Sequence, residues 1–587
     1  MGRESLLRIR ANISFVIAVA ALALTFALAV CRIGEVLADD SGDDTGRAAA
    51  IAQMTTPLAA TRNLNLAVSL KLHDRDALEK LIREQHDPAS PNYHQWLTSA
   101  EFSQRFGPSQ AEIDRVTEWL DSKGFLIDSS STSTRLIRFH APASTVASSF
   151  QVKFATSSNG RLFANLNDPK LPSNIAPLVD WIGGLDNLKA KIVHPHLLRP
   201  HPNVDVNLIG DAFGPPDIYS FYDESPLLEA DPPVNGSNTD CVGVVEDSNF
   251  DHASTDAFNA QFDLPAFNYS LEPGTNFLTF YADLSNPGIN ADQIEALIDL
   301  EYAHALAPGA NLINYIGDDS NSFTGLGFLD AVLAAIGQDR CGTISISYGI
   351  CGANAAFFRN IDTYFAQGAA QGQSIFIAAG DEGAAKFALD AKQDTCVAGK
   401  TRGVEGLESS PHVTSVGGTM FDPQYDGDGN NVGNVEESVW NNGYPQGAGS
   451  GGKSPIFKKP EYQKGLTPKD NGRDVPDISF GASEIDPGFY IGFSKTMECC
   501  VGGTSIGAPS WAGISMLIQQ LDGRQGLINP ELYQLGPQGL DAGIRDVTTG
   551  NNNYHGVKGY PAVPGYDLAS GWGTPDIADF VTAFVKP

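Results

Sequence analysis

The residues best suited to chemistry in this chain are a serine in a glycine-rich turn and several acidic side chains. Residues 502–509 read Gly-Gly-Thr-Ser-Ile-Gly-Ala-Pro, and Ser505 stands where a helix is predicted to begin. A serine at such a turn can be exposed, and neighbouring backbone amides can help to hold an oxyanion. The pattern predicts a nucleophile; an ordinary strand-to-helix turn is the alternative.

Two carboxylates could supply the base that a nucleophilic serine needs. Glu295 and Asp299 are four residues apart in a helix predicted over residues 292–306, so they project from one face. Their apolar neighbours predict partial burial, and like charges held together raise one pKa, which suits proton transfer. The alternative interpretation is a solvated acidic helix face.

A third acidic residue follows a buried strand predicted at residues 374–379. Asp381 lies there in the sequence Gly-Asp-Glu-Gly. A neutral, protonated Asp at this position could donate a hydrogen bond to a developing oxyanion. The alternative is a turn or helix-capping Asp.

Histidine is the usual base for such a serine. Subtilisin-type enzymes share the Gly-Thr-Ser context but take their base from a His, usually in a His-Gly-Thr-His motif that none of the 11 His here forms. At pH ~4 a His near its reference pKa is protonated and cannot act as a base. His252 and His304 are the candidates for a distant base in this rival interpretation.

The net negative charge of the chain lies entirely in its larger, C-terminal part. The formal net charge is −31, and residues 206–587 hold 48 acidic and 17 basic residues, while residues 1–205 hold 21 of each. Nucleic acid is an unsuitable partner for such a polyanion. At pH ~4 about half of the carboxyls are protonated, so the large segment is nearly neutral in acid. The imbalance favours a protein that works in acid, with a generally soluble acidic surface as the alternative.

The N-terminus indicates export. Arg3, Arg8 and Arg10 precede an apolar run over residues 13–30, and Val36-Leu37-Ala38 fits a signal-peptidase site, so residues 1–38 are predicted to be a signal peptide. A transmembrane anchor is the alternative, and no later stretch could span a bilayer. Secretion is expected, with no membrane contact once the signal is removed.

Six cysteines follow the signal, which permits up to three disulfides in 15 connectivities. Cys341 and Cys351 are the expected local pair. No Cys-x-x-Cys spacing occurs, so a structural zinc site is not predicted.

Strands and helices alternate from residue 241 onward, which predicts a parallel sheet covered by helices on both faces. Active sites in such sheets lie at the carboxyl ends of the strands. The smaller N-terminal part mixes helices, such as 109–123, with strand-like stretches at 134–139 and 150–154. Residues 191–206, rich in His, Pro and Arg, are expected to be an exposed linker.

Several segments, in the right order, resemble the sedolisin family of serine-carboxyl peptidases, and kumamolisins in particular. They cover most of the chain and include the serine turn, the acidic pair and the following stretches: 93–98 (Tyr-His-Gln-Trp-Leu-Thr), 106–109 (Phe-Gly-Pro-Ser), 300–310 (Leu-Glu-Tyr-Ala-His-Ala-Leu-Ala-Pro-Gly-Ala), 437–441 (Glu-Ser-Val-Trp-Asn) and 475–477 (Val-Pro-Asp). The first two lie in what looks like the family's activation propeptide.

The resemblance implies a subtilisin-like fold in which a carboxylate pair replaces His. Ser505 would be the nucleophile, Glu295 the general base and acid, Asp299 the residue that orients Glu295, and Asp381 the oxyanion donor. It also implies an accessory Glu at position 246. Tyr348 stands where the family's partner Trp is expected, a departure, and residues 347–349 should line the substrate groove.

A calcium site is implied near the C-terminus. Its ligands would be the side chains of Asp546 and Asp567 with the backbone carbonyls of Val547, Val563 and Gly565. Hard oxygen ligands of this kind suit Ca²⁺. Val563 stands where the family often has Gly, which a carbonyl ligand tolerates if the backbone angle permits.

The expected protein is therefore an α/β enzyme, a monomer, made as a zymogen. A signal peptide (1–38) and a smaller α+β propeptide (39–200) precede a peptidase domain (206–587) whose subtilisin-like parallel sheet is flanked by helices. The propeptide should inhibit the domain that cleaves protein or peptide substrates, and acid should weaken the Coulomb contacts between them. A catalytically inactive calcium-binding protein on the same scaffold is the remaining alternative.

Overall fold

The computed structural model describes residues 50–52, 54–193, 196–197, 212–237, 240–269, 275–390, 395–427 and 430–585. The predicted signal peptide and most of the predicted linker lie outside these residues. Within the described part of the chain, no helix is long and apolar enough to cross a membrane.

A four-stranded antiparallel sheet with helices packed on it forms the N-terminal domain. Its sheet has the strand order β3-β4-β2-β7. The elements of this domain are β1 Thr56–Pro57, β2 Asn63–Leu70, α1 Arg75–Gln85, α2 Ser99–Arg105, α3 Gln110–Ser122, β3 Leu126–Ser130, β4 Leu136–Pro142, α4 Ala143–Phe150, β5 Phe154–Thr156, β6 Phe163–Asn165, β7 Val179–Gly183 and β8 Ala190–Val193.

Local sequence signals decide how well this domain is predicted. Helix α3 confirms the helix expected at 109–123, because Ser109 and Glu112 close a capping box at its start. The strand expected at 150–154 is wrong. Phe150 instead ends α4, where Ala143, Val146 and Phe150 form one buried helical face.

The larger domain is built around one eight-stranded sheet. Its elements are β9 His196–Leu197, β10 Ala212–Phe213, α5 Pro215–Phe221, α6 Ser225–Leu228, β11 Cys241–Glu246, α7 His252–Gln261, β12 Phe277–Tyr281, α8 Gln293–Ala305, β13 Asn311–Ile316, α9 Gly327–Gln338, β14 Thr343–Ile346, β15 Tyr348–Cys351, α10 Ala355–Ala370, β16 Ser374–Ala378, β17 Ala385–Asp390, β18 Thr395–Arg402, β19 Thr414–Met420, β20 Ser438–Val439, β21 Asn441–Gly443, β22 Gly447–Ala448, β23 Gly452–Lys458, β24 Gly472–Val475, β25 Ile478–Gly481, β26 Gly488–Phe493, β27 Thr496–Gly502, α11 Thr504–Asp522, α12 Asn529–Leu535, β28 Ile544–Arg545, β29 Thr574–Pro575 and α13 Ile577–Phe584.

The sheet runs β12-β13-β11-β14-β16-β19-β20, with β25 also paired to β19. All its pairings are parallel except that of β19 with β20. Helices α8 and α11 contribute to the hydrophobic core on one face, and α9 and α10 to the core on the other. This arrangement confirms the predicted α/β fold and places the ends of β14 and β16 beside α8 and α11.

The two domains meet mainly through helix α10. Ser69 of β2 and Tyr364 of α10 share a buried hydrogen bond of 2.8 Å. Arg135 is fully buried, with its guanidinium 4.0 Å from the centre of the Tyr364 ring and a 2.9 Å bond to Thr363. A cation buried in this way fixes the register of the contact, because any other position would leave its charge without partners.

The chain leading out of the N-terminal domain pairs with two strands of the larger domain. Strand β8 is antiparallel to β15, with residue 193 opposite Tyr348. Strand β9 is antiparallel to the end of β27, with residue 196 opposite Gly502. One of these pairings involves residues 348 and 349, which were expected to line the substrate groove.

The six cysteines form three disulfides, but the expected pair between Cys341 and Cys351 is wrong. The bridges join Cys241 to Cys341, Cys351 to Cys396, and Cys499 to Cys500. Cys241 begins β11 and Cys341 precedes β14, two strands that are hydrogen-bonded neighbours in the sheet. Proximity across the sheet, and not along the chain, selects the partners.

Candidate active site

Helix α8 carries the predicted carboxylate pair on a buried face. All its residues from Glu295 to Ala305 are buried, so the solvated-face alternative does not apply. Burial raises the pKa of Glu295 well above its usual value, and the charge of Asp299 one turn away raises it further. Burial likewise raises the pKa of Asp299. Two coupled carboxyls in one dry site can hold and exchange a proton.

Ser505 lies in the first turn of helix α11, directly after a tight turn. Gly503, which precedes the helix, has φ 126°, a region that favours glycine. This turn lets β27 lead straight into α11 and places Ser505 at the inner end of the helix, with no exposed surface. The backbone conformation therefore explains Gly503, and close packing explains Gly502, where a Cβ atom would overlap the backbone nitrogen of Glu484.

Ser505 and Glu295 are neighbours. The serine hydroxyl partly offsets the rise in the pKa of Glu295, so it stabilises the carboxylate form. The Oγ atom and both carboxylate oxygens nonetheless make no hydrogen bond of standard geometry. Catalytic hydrogen bonds are often long in proteins without substrate and shorten when it binds, so the adjacency is compatible with proton transfer.

Asp299 is held by residues at the ends of two neighbouring strands. The Ser347 hydroxyl donates a 2.7 Å hydrogen bond to Asp299 Oδ1. Glu246, at the end of β11, lies close enough that the Asp299 and Glu295 charges raise its pKa beyond the effect of burial. The Tyr348 hydroxyl donates a 2.7 Å bond to Glu246 Oε2. A tyrosine thus fills the place where the resemblance led us to expect tryptophan.

Asp381 is fixed by the residue before the serine. The Thr504 amide and hydroxyl donate to Asp381 Oδ1 at 2.9 and 2.8 Å. Burial nevertheless raises the pKa of Asp381 to about 8, against the effect of these two bonds. Asp381 is therefore neutral below neutral pH and carries the proton that an oxyanion donor needs. The roles of Ser347 and Thr504 as supports had no signal in the sequence beyond their places next to the predicted residues.

Asp381 also borders a second group of buried carboxyls that sequence reasoning missed. Burial is the main cause of the raised pKa of Asp381, and the charge of Glu484 adds to it. The Asn442 side-chain amide donates a 2.8 Å hydrogen bond to Glu484. Burial first, and then the charge of Asp381, raises the pKa of Glu382. These groups favour their neutral forms, so they add no lasting negative charge around Asp381.

Neither candidate histidine is placed as a base. His304 bonds the Pro265 carbonyl through Nε2 at 2.8 Å, and burial lowers its pKa to about 4. His252 stacks on the Tyr269 ring at 3.8 Å. No histidine is among the groups that shift the pKa of Glu295 or Asp381 in the described residues.

The two halves of the predicted calcium site lie together. The Gly565 amide donates to Asp546 Oδ2 at 2.7 Å, and the Val563 amide donates to Asp567 Oδ2 at 2.9 Å. Burial raises the pKa of both Asp residues, and no cationic side chain contributes to either shift in the described part of the chain. Val547 is buried. The contacts that these carboxylates show here are to backbone amides, and the carboxylate and carbonyl oxygens that the resemblance implies as ligands are of the type that suits Ca²⁺.

Similarity to known proteins extends along most of the chain. A family model for the pro-kumamolisin activation domain matches residues 52–188. Sedolisin from Pseudomonas sp. (strain 101) is 27% identical over 546 residues, which cover 90% of this chain and 88% of that protein. Kumamolisin from Bacillus sp. (strain MN-32) is 27% identical over 551 residues, which cover 88% and 91%.

A mammalian relative and a solved structure extend the comparison. Human tripeptidyl-peptidase 1 is 25% identical over 566 residues, covering 89% of this chain and 92% of that protein. A structure of Pseudomonas sedolisin, a serine-carboxyl proteinase complexed with two molecules of pseudo-iodotyrostatin, superposes with a TM-score of 0.54 at 27% identity. It covers 63% of this chain and 97% of the solved chain.

Proposed function

We propose that the chain is a member of the sedolisin family of serine-carboxyl peptidases, and that it is a secreted, acid-active endopeptidase that cleaves proteins through Ser505, Glu295 and Asp299. The observation that carries this proposal is that buried Glu295 lies next to both the Ser505 hydroxyl and the carboxyl of Asp299, each of which shifts its pKa. An imidazole base would be protonated in acid, whereas a carboxyl of raised pKa still exchanges protons there.

The reaction is acyl transfer through a covalent intermediate. Ser505 Oγ attacks the peptide carbonyl carbon while its proton passes to Glu295, and Asp299 keeps the pair singly charged. The carbonyl oxygen becomes an oxyanion that accepts a hydrogen bond from protonated Asp381. Glu295 then donates the proton to the leaving amine, and the peptide C–N bond breaks. Water, deprotonated by Glu295, attacks the ester in the second half-reaction and releases Ser505.

The N-terminal domain serves as an intramolecular inhibitor in this proposal. Strands β8 and β9 pair with the edges of the groove on both sides of Ser505, at residues 348–351 and 501–502. A substrate peptide needs the same backbone donors and acceptors. Activation requires a cut in the His/Pro/Arg linker, residues 191–206, and departure of the N-terminal domain.

The charge distribution supports work in acid. The larger domain holds 48 acidic and 17 basic residues between 206 and 587, which repel at neutral pH and nearly balance at pH ~4. A structural calcium ion would be held by Asp546, which is exposed, by Asp567, which is buried, and by the carbonyls of Val547, Val563 and Gly565. It would offset the charge of both carboxylates and so tie the C-terminal loop to the domain.

The test is incubation of the purified full chain at pH 4 and at pH 8 with casein. We expect casein cleavage at pH 4 and a new N-terminus, identified by sequencing, within residues 191–206. Activity that is maximal at pH 8 and absent at pH 4 would favour the His-dependent alternative. Full activity of an uncut chain would contradict the zymogen proposal.

A further inference from the structure

A cluster of positive charge stands out on the larger domain because that domain is so acidic. Lys400 and Arg402 lie at the end of strand β18, and His555 and Lys558 lie in the loop that follows β28. We call these four residues the basic pocket. They include three of only 17 Lys and Arg residues between 206 and 587, so a cluster of basic side chains is unexpected from the composition of this domain.

Direct contacts hold the basic pocket together. Lys400 Nζ donates to His555 Nε2 at 2.7 Å. Arg402 Nε donates to the Lys558 carbonyl at 3.0 Å, and its guanidinium lies 4.7 Å from the centre of the Tyr560 ring. The strand and the loop are thus fastened to each other by their cations, although like charges repel.

A cavity of about 370 Å³ opens at this cluster. Its lining residues are Tyr444, Asn553, Tyr554, His555, Gly556, Val557 and Lys558. The Tyr444 ring is 60% exposed and stacks on His555 at 4.2 Å. The cavity therefore has aromatic walls, a cationic rim and an open mouth.

His555 is engaged through one ring nitrogen. Lys400 contacts Nε2, whereas Nδ1 is buried and has no hydrogen-bond partner among the described residues.

No carboxylate neutralises the rim. Among the described residues, Lys400, Arg402 and Lys558 form no salt bridge with Asp or Glu. The carboxyls of Asp381 and Glu382 act on Tyr554, which lines the cavity, and burial raises the pKa of Asp381 to about 8 and that of Glu382 well above its usual value. Both are neutral in acid, so the positive potential of the rim persists there.

The cavity adjoins the candidate active site. Tyr554 lines the cavity. The pKa of its hydroxyl is raised mainly by burial and, to a smaller extent, by the charges of Glu382 and Asp381. The Ala384 amide, three residues beyond Asp381, donates to the Asn552 carbonyl at 2.8 Å. A peptide whose carbonyl reaches Asp381 can therefore extend a nearby side chain or terminus into the cavity.

From these contacts we infer that the basic pocket is a substrate subsite that binds a carboxylate of the peptide, supplied by an acidic side chain or by the C-terminus. The inference rests on the proposed function and adds a charge preference to it.

The test compares matched peptides on the full chain after activation at pH 4. In one arm, cysteic acid, whose sulfonate stays ionised in acid, replaces asparagine at each of four positions on either side of the cleaved bond. In the other arm, a free C-terminal acid is compared with its amide. We expect the charged member of one pair to have the higher kcat/KM. The preference is measured as the kcat/KM of the charged peptide divided by that of its uncharged partner. In Lys558→Glu this ratio should fall by about 3–10-fold, the range for reversing one partly exposed ion pair.

Lys464→Glu is the matched control, because Lys464 is an exposed lysine paired with Glu461 on another segment. It should leave the ratio unchanged. If Lys558→Glu is poorly folded by thermal melting, Lys558→Gln gives the same comparison with a smaller fall. An effect in the first arm identifies a side chain as the ligand, and an effect in the second identifies the C-terminus. Equal ratios in wild type and Lys558 variants in both arms would overturn the inference, whereas failure to cleave any peptide would overturn the proposed function itself.

Discussion

The backbone amide and the hydroxyl of Thr504 both donate hydrogen bonds to one oxygen of Asp381, Oδ1, at 2.9 and 2.8 Å. Because Oδ1 accepts both bonds, a proton on this carboxyl is held on Oδ2. The carboxyl is thereby oriented by the residue immediately before Ser505. One helix start thus supplies both the proposed nucleophile and the support of the proposed oxyanion donor.

Replacing Asp381 should reduce turnover and leave the fold intact. Asp381→Ala removes one oxyanion donor, and we expect kcat to fall by about 10²–10³-fold. Asp381→Asn keeps an N–H donor and should lose less. Steady-state kinetics at pH 4 measure both. Equal activity of wild type and Asp381→Ala would exclude Asp381 as a donor.

The pH profile offers a separate test of the same residue. Burial raises the pKa of Asp381 to about 8. The neutral form, which donates the hydrogen bond, is therefore fully populated below pH 7 and is lost as the pH rises through 8. Wild type should lose any remaining activity over this range. An amide does not titrate, so Asp381→Asn should lack this step, and a step of unchanged position in the variant would assign it to another group.

Loss of the nucleophile or the base should nearly abolish peptidase activity. Ser505→Ala and Glu295→Gln should each lower kcat by at least ~10⁴-fold, since members of a catalytic unit act together. Ser510→Ala is the control on the same helix, because the Ser510 hydroxyl only bonds the Ile506 carbonyl at 2.7 Å. Casein cleavage at pH 4 reports all three. Substantial activity in Ser505→Ala would refute the assignment.

The helical period explains why part of the site was predictable. Four residues separate Glu295 from Asp299, which places them on one face of any helix. Full burial of that face was not evident, because it depends on α11 and β11 packing against α8. Glu246 was identified only through the family resemblance, because its distance in sequence hides its place beside Asp299 from local patterns.

Long-range partners were beyond local patterns. Cys351 pairs with Cys396, which lies 45 residues away, and not with Cys341. Likewise, the support of Asp299 by Ser347 spans 48 residues. Strand order in the sheet determines such contacts, and a single sequence specifies strand existence far better than strand neighbours.

A charged cluster between the domains should control the rate of activation. Arg75 and Glu79 of the N-terminal domain meet Asp362 and His412 of the larger domain. Burial alone would raise the pKa of Asp362, but the His412 and Arg75 charges lower it to about 2. Burial would lower the pKa of His412, but Asp362 and Glu79 raise it to about 10.

The sign of these shifts predicts that this cluster resists acid. The contribution of Asp362 is present above pH ~4 and is lost as the pH falls through 2. That of His412 is present below pH ~6.5 and is lost as the pH rises through 10. At pH 4–6 both remain charged, so other contacts must weaken first when the N-terminal domain is released.

Glu79→Gln should therefore speed processing. The variant removes one of two carboxylates from His412, and we expect a loss of about 1 kcal/mol for this partly exposed pair, or about fivefold in the equilibrium. The half-time of processing at pH 5, followed on denaturing gels, should shorten by a similar factor. Glu118→Gln, an exposed change on α3, is the control. Equal half-times for all three proteins would show that the cluster does not limit release.

Calcium should stabilise the larger domain through Asp546 and Asp567. No cationic side chain contributes to the pKa shift of either carboxyl among the described residues, and a bound ion would add about 2.7 kcal/mol at one hundred times its Kd. We expect Ca²⁺ to raise the melting temperature of the chelator-treated protein, measured by calorimetry at pH 6. Asp546→Asn should abolish that rise, because one of two charged ligands is lost. Asp541→Asn, an exposed Asp five residues earlier, should retain it. The amides of Gly565 and Val563 hold the carboxylates of Asp546 and Asp567 at this loop, which defines the place of the proposed site. An equal rise in Asp546→Asn and wild type would therefore place any calcium elsewhere.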